Sequence, residues 1–177
     1  MADINATIDV DRPISMVYNQ WTQFEEFPRF MGAVEEVKQL DDTTLNWRAS
    51  IAGVEREWQA RITEQIPDQV IAWTSTEGVK NSGRVSFEPL GEEATRVHLV
   101  LEVEPESLVD KIGEGIGLVE SRAEDDLERF RDFIESLPYE TGAWRGEVSS
   151  TSSGNESVGS QDRGAPLEST DDADPLT

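Results

Sequence analysis

Between Val34 and Glu104, apolar and polar residues alternate in one stretch after another, with only a few residues between stretches in which to turn. Alternation at period two is what a strand with one buried and one wet face requires, and short links force neighbouring strands antiparallel. The stretches run from Val34 to Leu40, Thr44 to Ile51, Val54 to Ile66, Gln69 to Thr76, Gly83 to Pro89 and Thr95 to Glu104. Turn residues separate them at Asp41-Asp42, Ala52-Gly53, Pro67-Asp68, Gly78 to Asn81 and Gly91 to Glu93. Ahead of them, "INATIDV" places Ile4, Ala6, Ile8 and Val10 on one face and Asn5, Thr7 and Asp9 on the other. A two-residue turn at Ala52-Gly53 sets Trp47 opposite Trp58 and Arg48 opposite Glu57, and a Pro67-Asp68 turn sets Ile62 opposite Trp73. Both hairpins then agree on one apolar face: Trp47, Ile51, Trp58, Ala60, Ile62, Ile71, Trp73, Val85, Phe87, Val97, Leu99, Leu101 and Val103.

A sheet with one apolar face needs a cover. After Pro105, the residues Leu108, Ile112, Ile116, Val119, Ala123, Leu127, Phe130, Ile134 and Leu137 recur at steps of three or four. This predicts one long amphipathic helix of about eight turns. A short helix is expected between the first two strands, where Val17, Trp21 and Phe24 follow Pro13 at helical spacing, broken near Phe27-Pro28. The expected fold is α+β: a seven-stranded antiparallel sheet wrapped around the long C-terminal helix, with the short broken helix closing one end.

From Ser149 the chain turns to Ser, Gly, Asp and Thr with no aromatic residue, and 149–177 is expected to be a disordered tail attached to one domain over 1–148. Residues 139–177 carry a net −6 of the total −22, so the body keeps −16. That field repels nucleic acid and anionic membrane surfaces. With 12 Arg against 3 Lys, the acidity fits either a high-salt cytoplasm or a GC-rich genome with an acidic tail. Without cysteine there is no disulfide, thiolate nucleophile or cysteine-bound zinc. The polar start "MADINATIDVDRP" and the lack of an apolar run near 18 residues predict a cytoplasmic chain outside the membrane.

The segments "VYNQWTQFEEFPRFM", "LNWRASIAGVEREWQARITEQIPDQVIAWTSTEG" and "ESRAEDDLERFRDFIES", in this order of elements, resemble the polyketide cyclase/dehydrase branch of the START-related (SRPBCC) superfamily. The following "ETGAWRGEV" is similar to the end of bacterial members, and the resemblance spans about residues 2–148. It implies a helix-grip fold around a deep apolar cavity. Members bind or transform polyketides, sterols, phospholipids, quinones and plant hormones, so the resemblance implies a ligand class and leaves the reaction open.

In a cavity fold, Trp47, Trp58 and Trp73 become an aromatic wall, joined by Ile62, Val85, Phe87, Leu99 and Leu101 from the sheet and by Ile112, Ile116 and Val119 from the long helix. Phe27, Phe30 and Met31, beside Pro28, are candidates for the rim; with Phe24 they also make a stripe that can pack on the helix. Arg56 shares the inward face opposite Ala49, where it either meets a ligand carbonyl, enolate or carboxylate or reaches solvent at the hairpin mouth. Glu64 and Ser75 fall on the same face near strand ends, at the expected rim. His98, the sole histidine, points outward with Arg96 and Glu102, which removes the usual general base and the common zinc sets. No acid/base carboxylate pair stands out, so catalysis would rest on Arg56, Tyr18 or ordered water.

In "KIGEGIGLVESR" the phosphate-loop spacing fails, because Leu118 stands where glycine is needed. Gly113, Gly115 and Gly117 either soften the helix over a cavity mouth or let it approach the sheet. The expected function is binding of a small hydrophobic ligand (polyketide, quinone, isoprenoid or lipid) with no cofactor or metal. The alternatives are a polyketide aromatase/cyclase or dehydratase, and an acidic adaptor meeting a basic protein partner.

Overall fold

The computed structural model describes residues 2–51, 53–104 and 115–149. Strand β1 (Ala2–Val10) leads into helix α1 (Ile14–Trp21) and a 3₁₀ turn (Phe24–Arg29). Six strands follow: β2 (Val34–Gln39), β3 (Thr44–Ile51), β4 (Val54–Ile66), β5 (Val70–Gly78), β6 (Asn81–Gly91) and β7 (Ala94–Val103). Helix α2 (Gly115–Ser136) ends the regular structure. The strands form one antiparallel sheet in the order β1-β7-β6-β5-β4-β3-β2, so every connection but the first is a hairpin. The seven-stranded helix-grip architecture is as the alternation and its cover require. The expected start of the long helix, with Leu108, Ile112 and Gly113, lies outside the described residues.

Pro13 is the N-cap of α1; it has no N–H to leave unpaired, and its carbonyl accepts the Val17 amide at 3.1 Å. Ala123, Leu127, Phe130 and Ile134 form the buried stripe of α2, and Phe130 and Ile134 are fully enclosed. Trp21 joins the layers: its ring lies 5.4 Å from Phe27, 6.0 Å from Phe30 and 5.0 Å from Phe130. Aromatic contacts of this kind, mostly edge-to-face or tilted, each add about 0.5–1.5 kcal/mol beyond area burial.

The β3–β4 hairpin has the expected register, with Trp47 opposite Trp58 and Arg48 opposite Glu57. The β4–β5 hairpin reaches Ile62 opposite Trp73 by another route. Its link is three residues long, Ile66 pairs with Val70, and Asp68 takes a left-handed φ of 62°. A bulge between Ile62 and Glu64 then restores the pairing. That extra residue corrects one expectation: Glu64 turns to the outer face, where it pairs with Arg84 at 3.0 Å, and Gln65 takes the inner position, 1% exposed.

Beyond α2 the chain runs back across α1. Gln20 donates to Thr141 Oγ1 at 3.0 Å and accepts the Thr141 amide at 2.9 Å, while Asn19 donates to Glu140 at 2.8 Å. The Trp144 amide donates to Thr22 Oγ1, and Arg145 reaches both Asn19 Oδ1 and Asp68. Val148 exchanges two backbone bonds with Gln65.

Candidate functional site

Between the inner face of the sheet and α2 lies a cavity of about 180 Å³. Strand parity builds its sheet wall: Trp47 and Ala49 from β3, Trp58 and Ile62 from β4, Trp73 from β5, Val85 from β6, Leu99 and Leu101 from β7. Trp47 and Trp58, cross-strand partners, stack with ring planes 7° apart and centroids 5.7 Å apart. The Trp73 indole lies along the sheet over its partner Gly83, where a Cβ would sit 2.2 Å from the ring; glycine is required there so that the ring can lie flat. Gly78 faces Trp58 with φ of 80°, and a Cβ would come within 2.3 Å of the Glu57 carbonyl oxygen. The helical wall is Val119, Arg122, Ala123, Asp126 and Leu127, and Phe27 and Met31 close the side between α1 and β2.

Of the residues expected at the site, Trp47, Trp58, Ile62, Trp73, Val85, Leu99, Leu101, Phe27, Met31 and Val119 come together on this cavity. Phe30 does not: 1% exposed, it is clamped among Trp21, Phe130 and Phe133 and belongs to the filled core. Phe87 is displaced from the wall because Tyr18 of α1 fills the space before it, edge-on at 5.5 Å. Arg56, opposite Ala49, is half-buried and off the cavity; Val54 beside it on the same face is already 37% exposed, so this end of the hairpin projects past the covered sheet. Ile112 lies outside the described residues, and of Ile116 only the helical backbone is described.

Tyr18 is fully buried and off the cavity, with Arg145 over its ring at 5.5 Å; burial pushes its hydroxyl pKa up. His98 lies on the outer face, 3.0 Å from Thr7 Oγ1 and 3.7 Å from Glu88. Ser75 sits half-buried near the β5–β6 turn and accepts the Asn81 amide at 3.0 Å. Among the described residues no three His, Asp or Glu side chains converge as metal ligands would, and no helix is long and apolar enough to cross a membrane.

The polar part of the lining was missed in the sequence: Asn81, Arg122 and Asp126. The signal was present, because Arg122 and Asp126 are spaced three or four residues from Val119, Ala123 and Phe130 and so share the helix stripe that faces inward. Asp126 accepts the Gly32 amide at 3.1 Å, tying α2 to the segment before β2, and Arg129 approaches it at 3.5 Å. Burial pushes the Asp126 carboxyl above its ordinary pKa, against the opposing pull of the Gly32 N–H, Arg129 and Arg122.

Residues 10–131 match the family described as polyketide cyclase / dehydrase and lipid transport. An uncharacterised 17.2 kDa protein from the melC2-rnhH intergenic region of Streptomyces lincolnensis is 44% identical over 149 residues, 84% of this chain and 99% of that one. The crystal structure of DR_A0006 from Deinococcus radiodurans superimposes with a TM-score of 0.59 at 26% identity, covering 74% of this chain and 95% of its own. An aromatase/cyclase, Zhui of Streptomyces sp. R1128, shares the fold with a TM-score of 0.61 at 18% identity, over 76% of this chain and 93% of that one.

Proposed function

This chain belongs to the polyketide cyclase / dehydrase and lipid transport family, and on that premise we propose that it binds a compact hydrophobic molecule between the sheet and α2. The observation that carries the reading is the cavity itself, about 180 Å³ of space left by a wall of Trp47, Trp58, Trp73, Ile62, Val85 and Leu99. An apolar void of about 150 Å³ is enough to hold benzene, so one or two fused rings fit and a long extended chain does not.

Burying about 200 Å² of such a ligand is worth roughly 5 kcal/mol at 25 cal/mol per Å². A micromolar affinity would need about 8 kcal/mol, and the three polar residues on the wall are placed to supply the difference. The test is binding of the fluorescent hydrophobe N-phenyl-1-naphthylamine, with native mass spectrometry of protein purified from its own host. Saturable probe binding that a co-purified molecule displaces is the expected result. A chain that binds no probe and carries no small molecule would end the reading.

A second reading, a cyclase or dehydratase, is favoured by one feature: Asp126 is a carboxyl on the cavity wall whose pKa burial pushes upward, the direction a general acid needs. Turnover of a poly-β-ketone mimic that disappears in Asp126→Asn would support it. Tight binding without turnover would leave the carrier.

A further inference from the structure

We propose that Arg122 anchors an anionic group on the ligand, so that the molecule taken is a compact apolar acid, a carboxylate on a ring-bearing body. The inference rests on the cavity reading above and adds the chemistry of the ligand's polar end.

Arg122 lines the cavity from α2, half-buried, beside Val119, Ala123 and Asp126. Among the described residues its guanidinium makes no direct hydrogen bond or ion pair, although Asp126 is near enough to feel its charge. Other arginines of the body find carboxylates: Arg84 has Glu64, Arg96 has Asp9, Arg145 has Asp68 and Arg129 has Asp126. Arg12, also half-buried, lacks a carboxylate but donates to the Asp11 and Glu135 backbone carbonyls; in a chain with 37 acidic residues to 15 basic ones, the Arg122 guanidinium has neither kind of bond among the described residues. A cation partly removed from water is under-satisfied until an anion meets it.

Asp126, one turn further along α2, does not fill that place. Its Oδ1 is committed to the Gly32 amide at 3.1 Å and lies 3.5 Å from Arg129. Burial pushes its pKa up, against the pull of the Gly32 N–H, Arg129 and Arg122. Asn81, the remaining polar side chain of the described lining, spends its amide N–H on the Val79 carbonyl at 3.0 Å. Arg122 is therefore the one cation on the described wall, and its planar fork of N–H donors matches a carboxylate held in two bonds. The aromatic stack of Trp47 and Trp58 supplies the flat surface for the rest of the molecule.

The experiment compares 2-naphthoate with its neutral isostere 2-naphthamide, by quenching of tryptophan fluorescence at pH 7, on the full chain and on Arg122→Gln and Arg122→Lys. Thermal melts of each variant establish that it is folded. Wild-type protein should bind naphthoate about tenfold tighter than naphthamide, the margin a charge-assisted bond confers. Arg122→Gln should bring the two together by weakening naphthoate far more than naphthamide, and Arg122→Lys should keep part of the preference. Equal affinities in the wild type, or a preference that survives in Arg122→Gln, overturn the anchor while the cavity reading stands on naphthamide binding. Binding of neither compound overturns the cavity reading, and the anchor with it.

Discussion

Along α2, Ala123, Asp126 and Leu127 look onto unfilled space, whereas Phe130 and Ile134, further along the same stripe, are completely enclosed by packed side chains. The two ends also differ in how their polar groups are held. Beyond the packed end, Asn19, Gln20 and Thr22 of the α1 region are each bonded to the returning segment 140–148. At the cavity end, the Arg122 guanidinium makes no direct hydrogen bond or ion pair among the described residues and acts on Asp126 only through its charge. The difference teaches where this fold keeps its stability: the filled end carries it, which lets the other end stay underfilled and open to exchange.

The sharpest way to break this comparison is to remove the returning segment. A stop after Pro138 takes away the bonds of Asn19, Gln20 and Thr22 to the returning segment, each worth about 0.5–1.5 kcal/mol net, and bares a buried face of α1 to water. The expected loss is on the order of 3–5 kcal/mol in urea unfolding, whereas a stop after Ser149 should leave stability unchanged, as a 1–148 domain with a dispensable tail requires. A 138-residue protein as stable as the full chain would show that the packed end does not depend on this segment.

A pair of truncated side chains tests the two ends against each other. Phe130→Ala opens a void among Trp21 and Phe30 and should cost about 3–5 kcal/mol. Trp58→Ala, at a half-buried position on an existing cavity, should cost well under half of that, yet weaken N-phenyl-1-naphthylamine binding by about tenfold through the lost stack with Trp47. Chemical denaturation and probe titration of both variants read the four quantities. Equal stability losses would erase the distinction.

How much of this was legible in the sequence follows the same division. Where a turn had two residues, as at Ala52-Gly53, the register could be counted out, and Trp47 fell opposite Trp58. The β4–β5 register came out at Ile62 and Trp73 although its premise failed, because the bulge near Thr63 compensates for the longer turn at Asp68. Bulges leave no mark in a period-two pattern, so Glu64 and Gln65 exchanged faces unseen. The bonds of 140–148 to α1 were hidden for another reason: an extended segment held by hydrogen bonds has no periodicity to detect. Arg122 and Asp126 were hidden by their charge, which drew them to the polar face despite a spacing that put them on the apolar one.

Asp126 offers a smaller effect with a sign that can be worked out. Burial raises its pKa in the folded chain, so between the ordinary carboxylate value and the raised one the folded state binds more protons than the unfolded state. Stability contributed by this group therefore falls as pH rises through that window. Asp126→Asn, whose amide oxygen can still accept from the Gly32 N–H, removes the penalty. Relative to wild type it should gain stability at neutral pH, and the gain should vanish as pH falls to the ordinary carboxylate range. A gain that is the same at both ends of the pH scale would place the cause in packing.

The smallest expected effect belongs to Gly117, and it bears on how the proposed ligand would enter and leave the open end. It lies in the first turn of the described part of α2, exposed, two residues before the cavity residue Val119. A Cβ placed there meets nothing within 4 Å among the described residues, so at this position the glycine is not making room for the sheet. What remains is its effect on the helix, where glycine costs about 1 kcal/mol relative to alanine in an interior turn and somewhat less near an end. Gly117→Ala should then stabilise the fold by roughly 0.5–1 kcal/mol. If loosening of this turn is how the cavity admits a ligand, the same change should slow release of N-phenyl-1-naphthylamine in stopped-flow dilution while its equilibrium affinity moves less than its rates. Stabilisation with unchanged rates would confine the softness to the helix end and move the gate elsewhere. Destabilisation would mean that the added methyl group is not accommodated at Gly117, and the packing explanation for the glycine would return.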